Sequence, residues 1–198
     1  VVFSSVTQPV DSGLVPKKSV PGTKSRTNVT GVSHRWPVQV QVEMYSRFVP
    51  KAKKWGTIYN AGDANTLLLI KGMREAAKKL KIEWIEAVIS NSAETMGAAQ
   101  FMAGKVQAIH ITYDATAVSG MEAIVKVCNE KKIPLFTSDV ESVSGGAIAA
   151  YGVNFFLIGY SAGKKATRIL KGEEPGEIPW GRVDRFTLVV NEKAARAQ

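Results

Sequence analysis

The chain has 198 residues, of which 45% are hydrophobic and 22% are charged, a composition typical of globular proteins. No stretch approaches the ~20 consecutive apolar residues that a membrane-spanning helix needs, so the sequence predicts no membrane span. The formal net charge is +9, from 26 Lys and Arg against 17 Asp and Glu. Because the lysines occur in small groups near predicted helix ends, we interpret them as solvated surface and expect no nucleic-acid partner. The chain starts at Val1, so we expect a processed or truncated product.

Two short apolar segments, 1–6 and 28–33, open the chain as predicted strands, and a helix is expected at 37–48. Apolar strands and amphipathic helices then alternate. The predicted strands of this region are 55–59, 82–89, 106–112, 133–137 and 147–153. The helices between them are 66–80, 91–103 and 117–130. Strands that are apolar on both faces and alternate with helices predict an α/β fold with a parallel sheet covered on both sides.

After residue 153 the pattern predicts one more helix at 155–170. A loop rich in Pro and Gly follows, and a last strand at 185–190 leads into a short terminal helix.

One motif in this last part suggests catalysis. Residues 159–163 read Gly-Tyr-Ser-Ala-Gly and fit the G-x-S-x-G pattern of a hydrolase nucleophile. Such an enzyme needs its histidine after the serine, whereas His34 and His110 both precede Ser161. The apolar spacing around Ser161 favours an ordinary helix instead. The sequence also lacks a dinucleotide-binding G-x-G-x-x-G and any metal-ligand spacing, so we expect no enzymatic activity, no cofactor and no metal.

Polar residues follow the predicted strands in series. In a parallel sheet the carboxyl ends of the strands lie at one edge, where ligands usually bind. Hydroxyls and amides there suit a carboxylate, and a buried Asp suits an ammonium, so the set predicts a small zwitterionic ligand. The alternative is that these residues are ordinary helix caps and turns. The set comprises Tyr59, Asn60, Asp63, Asn65, Thr66, Ser90, Asn91, Ser92, Tyr113, Asp114, Thr116, Ser138 and Asp139.

Three segments resemble a known family. Residues 7–15, Thr-Gln-Pro-Val-Asp-Ser-Gly-Leu-Val, are similar to the T-D-P-V-x-A-G-L-V segment of ABC-transporter substrate-binding proteins, the group that includes tryptophan and tyrosine receptors. Residues 28–33 match that family's N-V-T-G-V-S, and residues 59–66 resemble its Y-N-P-x-E-x-N-S. This sequence departs from the family at Gln8, where Asp is usual, and at His34.

The resemblance implies a type I periplasmic-binding-protein fold, in which two Rossmann-like lobes close on a ligand held in the cleft between them. Residues 1–34 and 152–174 would be a remnant of lobe one, whose first part is missing, and residues 35–151 and 175–198 would form lobe two. We expect the surface exposed by the missing part to be covered, either by that segment itself or by a second chain. In the second case the protein would be a dimer.

The implied function is the solute-binding component of a bacterial ABC transporter, periplasmic or membrane-anchored outside the cytoplasm as a lipoprotein. Its partners would be an amino acid, aromatic by resemblance, and the membrane permease. Asp114 or Asp139 would pair with the ammonium of that amino acid, and Thr66 with nearby backbone N–H groups would hold its carboxylate. Alternatives in the same fold are a ligand-sensing domain of a signalling protein and a repressor effector domain. The expected ligand contacts are Thr7, Gln8, Tyr59, Asn60, Asn65, Thr66, Asp114, Thr116, Ser138 and Asp139.

Overall fold

The computed structural model of the protein describes all residues from 1 to 198, which form two compact units. Unit 1 contains Val1–Arg35 and Val153–Phe186, and unit 2 contains Trp36–Gly152 and Thr187–Gln198. The strands are β1 (Val2–Val6), β2 (Thr30–His34), β3 (Lys54–Tyr59), β4 (Glu83–Val88), β5 (Ala108–Ile111), β6 (Leu135–Thr137), β7 (Ala149–Val153), β8 (Gly181–Val183) and β9 (Phe186–Val190). The helices are α1 (Val38–Phe48), α2 (Ala64–Lys79), α3 (Thr95–Met102), α4 (Ala115–Ser119), α5 (Met121–Lys131), α6 (Phe155–Leu170) and α7 (Glu192–Ala197). None of them combines the length and the hydropathy needed to cross a bilayer.

Unit 1 is built on a three-stranded parallel sheet in the order β1-β2-β8. Phe3, Val15 and Trp180 form its small buried core. Strand β8 pairs with β2 in a register that sets Gly181 beside Val32. The family resemblance implied that residues 175–198 belong to lobe two, and the sequence pattern predicted no strand at 181–183. In the structure residues 175–186 lie in unit 1, because a strand of only three residues carries no readable alternation and its place is fixed by pairing with β2.

Unit 2 contains most of a six-stranded sheet in the order β4-β3-β5-β6-β7-β9. Neighbouring strands from β4 to β7 are parallel, as the sequence predicted. All four residues of β5 are fully buried, which requires cover on both faces. Ile109 and Ile111 pack into the core that contains residues of α3 and α5, whereas His110 points to the opposite face and lies edge-on to Tyr45 of α1. The predicted α/β fold with a doubly covered parallel sheet is confirmed.

One predicted helix is two helices in the structure. The segment 117–130 was expected to be continuous, but α4 ends at Ser119 and α5 begins at Met121. Between them, Gly120 approaches α3 so closely that a Cβ atom there would overlap the side chain of Thr95. The break therefore results from packing against α3, which the periodicity of the segment does not reveal.

The G-x-S-x-G motif lies entirely inside α6, which confirms the helical interpretation. Asn154 caps this helix by accepting the backbone N–H of Leu157 at 3.1 Å. Ile158 and Ala162 are its buried residues. Ser161 is thus part of a regular helix and not of the sharp strand-to-helix turn that exposes a hydrolase nucleophile.

Candidate functional site

Asp114 lies at the centre of a hydrogen-bond cluster at the carboxyl ends of β3 and β5. It is the N-cap residue of α4, and its Oδ1 accepts the N–H of Ala117 at 2.7 Å. Its Oδ2 accepts the N–H of Asn60 at 3.0 Å and the hydroxyl of Thr66 at 3.1 Å. Only 2% of Asp114 is exposed, so these three donors take the place of water around the carboxylate. The carboxylate therefore fixes the relative positions of the end of β3, the start of α2 and the start of α4.

Asn60 extends the cluster toward the surface. Its Nδ2 donates to Thr116 Oγ1 at 3.1 Å, and its Oδ1 accepts the N–H of Gly62 at 2.8 Å. We call Asn60, Thr66, Asp114 and Thr116 the Asp114 cluster. These are four of the predicted site residues, and the structure brings them into direct contact. Asn60 and Thr116 are partly exposed, whereas Thr66 is fully buried.

Asn65 lies next to the Asp114 cluster in sequence but is exposed at the start of α2. Its backbone N–H donates to Asp63 Oδ1 at 2.9 Å, which makes Asp63 the cap of this helix. The side chain of Asn65 points to solvent and makes no hydrogen bond within the protein.

Tyr113, which directly precedes Asp114 near the end of β5, forms an aromatic pair with Trp36. The rings of Trp36 and Tyr113 stack with their centroids 4.6 Å apart. Trp36 is 5% exposed and Tyr113 is 38% exposed, so Trp36 supports a ring that remains accessible from solvent. Burial, together with the charges of Asp139 and Glu141, raises the pKa of Tyr113, which keeps its hydroxyl protonated at neutral pH. The sequence prediction included Tyr113 only as one of several polar strand-end residues and omitted Trp36 from the site.

Ser138 lies deeper than the sequence suggested. It is fully buried, and its hydroxyl donates to Gln41 Oε1 at 2.8 Å. His110 Nε2 lies 3.5 Å from Ser138 Oγ. Complete burial lowers the pKa of His110 to about 3, so the ring is neutral at physiological pH. Ser138 therefore belongs to an internal network of α1, β5 and β6, and its hydroxyl is not presented to solvent.

Asp139 lies two residues before a short 3₁₀ helix, Glu141–Val143. Its Oδ2 accepts both the N–H of Ser142, at 3.1 Å, and the Ser142 hydroxyl. Its Oδ1 makes no hydrogen bond within the protein, although only 8% of the residue is exposed. Of the two aspartates predicted to pair with an ammonium, Asp139 thus retains an oxygen that a ligand donor could use.

Tyr59 is directed away from the Asp114 cluster. Its ring is buried, and its hydroxyl donates to Glu86 Oε2 at 2.8 Å on the neighbouring strand β4. Arg74 of α2 binds the same carboxylate with Nε and Nη2, and these bonds lower the pKa of Glu86. The hydroxyl of Tyr59 is therefore committed to a structural ion-pair cluster.

The two predicted residues of unit 1 line a cavity of about 360 Å³. Thr7 Oγ1 lies 3.4 Å from His34 Nε2, and burial lowers the pKa of His34. Polar and charged residues outnumber apolar ones among the lining residues, and they include two arginines that the sequence prediction missed. Arg35 directly follows β2, and Arg182 lies inside β8. The lining residues are Thr7, Gln8, Pro9, Val10, Ser19, Pro21, Ser33, His34, Arg35, Trp180 and Arg182.

The chain is similar to several known proteins in sequence and in structure. The chain is 35% identical over 197 residues to the tyrosine-binding protein of Clostridioides difficile, covering 100% of this chain and 56% of that protein. It superposes with a TM-score of 0.86 on a conserved domain protein from Vibrio cholerae, at 34% identity over 98% of this chain and 64% of that one. A Streptococcus pneumonia ABC domain in complex with L-Trp gives 0.83, at 27% identity over 99% of this chain and 67% of the other.

The chain therefore spans little more than half the length of the tyrosine-binding protein that it matches. The superpositions confirm the predicted type I periplasmic-binding-protein fold. The family model described as "ABC transporter substrate binding protein" matches residues 1–198. The family match over the whole chain and the 35% identity to the tyrosine-binding protein show that the chain belongs to the ABC transporter substrate-binding protein family.

Proposed function

We propose that the protein captures an amino acid with an aromatic side chain and delivers it to an ABC permease. The observation that carries this proposal is the accessible Tyr113 ring, supported by Trp36, beside the polar Asp114 cluster. The Tyr113 ring is 38% exposed, and an exposed aromatic ring can stack against the ring of an aromatic ligand. The relatives support the ligand class, since one is named a tyrosine-binding protein and another was solved with L-Trp.

In unit 2 we assign a different part of the ligand to each group. Tyr113 stacks on the aromatic side chain. Asp139 Oδ1 accepts a hydrogen bond from the ammonium, because Asp114 already has three donors of its own. Asn60 and Thr116 contribute an exposed amide and hydroxyl, and Asn65 lies close enough in sequence to add a second amide. Thr66 acts indirectly, by holding Asp114.

The cavity of unit 1 offers groups that suit the carboxylate of the same class of ligand. Arg35 is exposed at the end of β2, and a guanidinium forms paired hydrogen bonds with a carboxylate. Arg182 already shares its Nε with Asp184, at 2.8 and 3.0 Å, so Arg35 is the stronger candidate. Thr7 and Gln8 supply a hydroxyl and an amide to the same wall.

The test is isothermal titration calorimetry of the full-length protein with a panel of amino acids that includes Tyr, Trp, Phe, Leu, Ala and Glu. We expect binding of the aromatic members and at least tenfold weaker binding of Ala. Equal affinities for Leu and Tyr would contradict the role of Tyr113, and the absence of heat with every amino acid would contradict the ligand class.

A role in transport implies a membrane permease as a second partner, besides the amino acid. A solute receptor of this family works outside the cytoplasm and docks on its permease when ligand is bound, and we assign that location and that partner here. We assign no catalytic step to the chain, in keeping with the position of Ser161 within α6. Uptake of labelled tyrosine by cells that lack the protein should fall, and a signalling defect with normal uptake would favour a sensing role instead.

A further inference from the structure

The positive charge of unit 2 is concentrated at one edge of its sheet. Strands β3 to β6 run parallel, so all four begin at the same edge, opposite to the Asp114 cluster. The C-termini of α1, α2 and α5 lie at this edge as well, because each leads into a strand. Ten exposed cations occur there, and we call this set the basic edge: Arg47, Lys51, Lys53, Lys54, Lys78, Lys79, Lys81, Lys105, Lys131 and Lys132.

Few acidic residues compensate this charge. Glu83 lies at the start of β4 and pairs with Lys54 at 3.2 Å, and Glu130 lies near the end of α5. Helix dipoles account for the cations in the last helical turns. They do not account for Lys51, Lys53 and Lys105, which lie outside helices on the segments that enter β3 and β5. Most of the net charge of +9 therefore resides on this one edge.

Exposed apolar groups are interspersed with these cations. Phe101, near the end of α3, is 50% exposed, and Lys105 Nζ lies 3.2 Å above the centre of its ring. Phe48 at the end of α1 is 42% exposed. A shallow depression of about 380 Å³ lies between the end of α1 and the start of β5, with a mostly apolar wall formed by Val49, Pro50, Lys51, Ala52 and Gln107.

We propose that the basic edge binds the surface of an anionic phospholipid bilayer. Clustered lysines are attracted to the negative surface potential of such a bilayer. Exposed Phe side chains and the apolar depression would enter the boundary between headgroups and acyl chains. Four strands at ~4.8 Å spacing make the edge roughly 15 Å wide, enough to contact several headgroups at once.

The residue types favour a bilayer over a polyanionic chain. Nine of the ten cations are lysines, which act as hydrated point charges and suit a diffuse field of headgroups. A nucleic acid or sulfated glycan would favour the paired hydrogen bonds of arginine and would make little use of the apolar depression. The proposal does not depend on the amino-acid ligand, because it uses none of the residues assigned to that site.

The experiment measures co-sedimentation of the full-length protein, without any lipid anchor, with vesicles of phosphatidylcholine containing about 30% phosphatidylglycerol. We expect binding to these vesicles and little binding to pure phosphatidylcholine. Raising NaCl from about 0.05 M to about 0.5 M should release the protein, since screening weakens exposed charges. Binding that is equal on both kinds of vesicle would overturn the proposal.

Two triple variants with the same net charge separate the basic edge from overall charge. K51Q/K53Q/K79Q removes three cations of the edge, and K17Q/K18Q/K171Q removes three exposed cations of unit 1. Each lysine near an anionic surface raises the affinity for the membrane roughly fivefold, so the loss of three should lower the affinity of the first variant roughly 100-fold. The second should lose much less. Equal losses would assign binding to net charge alone and overturn the proposal.

Two further measurements address the apolar part and the rival partner. Phe101→Ser should weaken vesicle binding by a similar factor at about 0.05 M and about 0.15 M NaCl, because it removes an apolar contact that salt does not screen, and unchanged binding at both would contradict the insertion of Phe101. Retention on heparin resin without any vesicle binding would show a polyanion site and overturn the lipid assignment. Calorimetry with tyrosine should be unchanged in every variant, so a failure here is distinguishable from a failure of the proposed ligand.

Discussion

The rings of Trp36 and Tyr113 stack 4.6 Å apart and are inclined by 16°, although the two residues are far apart in sequence. Trp36 follows β2 and Tyr113 follows β5, so the pair forms only when unit 2 folds. The stack fixes the orientation of the Tyr113 ring before any ligand binds. Less side-chain entropy of Tyr113 is therefore lost on binding.

Replacing Tyr113 tests this platform directly. Tyr113→Ala should weaken binding of an aromatic amino acid by about tenfold, because a stacked ring pair contributes about 0.5–1.5 kcal/mol beyond its buried area. Tyr113→Phe should retain most of the affinity. Tyr160→Ala is the matched control, since Tyr160 is an exposed tyrosine of α6 outside the proposed site. Calorimetry measures all three, and a loss equal in Tyr113→Phe and Tyr113→Ala would assign the effect to the hydroxyl.

The buried carboxylate of Asp114 should be important for stability. Asp114→Asn replaces one acceptor oxygen by an NH₂ group, which would face the N–H of Asn60 or the hydroxyl of Thr66. We expect a loss of about 2–3 kcal/mol in the free energy of unfolding, as for a buried hydrogen bond to a charged group. Urea denaturation measures it. Asp11→Asn, at an exposed position, should change stability by less than about 0.5 kcal/mol.

Protonation of buried histidines should make stability depend on pH. His110 has a pKa of about 3 in the folded protein and an ordinary value of 6.5, and burial lowers the pKa of His34 as well. The unfolded chain therefore takes up protons below about pH 6.5 that the folded protein does not. Stability is full above this pH and falls as the pH drops, by up to about 1.4 kcal/mol per pH unit for each histidine.

The variant His110→Gln isolates the larger of these effects. Its unfolding free energy should be lower at pH 7.5 but should decline less between pH 6.5 and about pH 5, a range that lies above the titration of ordinary carboxylates. Denaturation curves at several pH values give the slope. An unchanged slope would show that His110 takes up its proton without unfolding.

Two glycines give opposite predictions for the same substitution. Gly120→Ala places a Cβ against the buried side chain of Thr95 and should destabilise the protein by about 1–3 kcal/mol. Gly163→Ala lies in the middle of α6 with open space around the added atom, and should stabilise it by about 0.5–1 kcal/mol. Thermal unfolding distinguishes the two. A similar shift in both would mean that Thr95 can move aside.

Periodicity in the sequence determined the fold class, and the segments 7–15, 28–33 and 59–66 indicated the family by resemblance. Apolar strands alternating with amphipathic helices allow few arrangements other than a covered parallel sheet, and that sheet places Asn60 and Asp114 at one edge whatever the packing. Some contacts at this edge are helix caps between residues close in sequence, such as the bond from the Asn65 N–H to Asp63. Such contacts can be inferred from the sequence because the two partners are only a few positions apart.

Tertiary structure alone decided the direction of each side chain. Ser138 and Tyr59 end strands just as Asn60 does, but one points into a buried network with Gln41 and the other across the sheet to Glu86. Partners this distant in sequence leave no local pattern. The stacking of Trp36 on Tyr113, the pairing of β8 with β2 and the break at Gly120 have the same cause, because each depends on an element that only folding brings close.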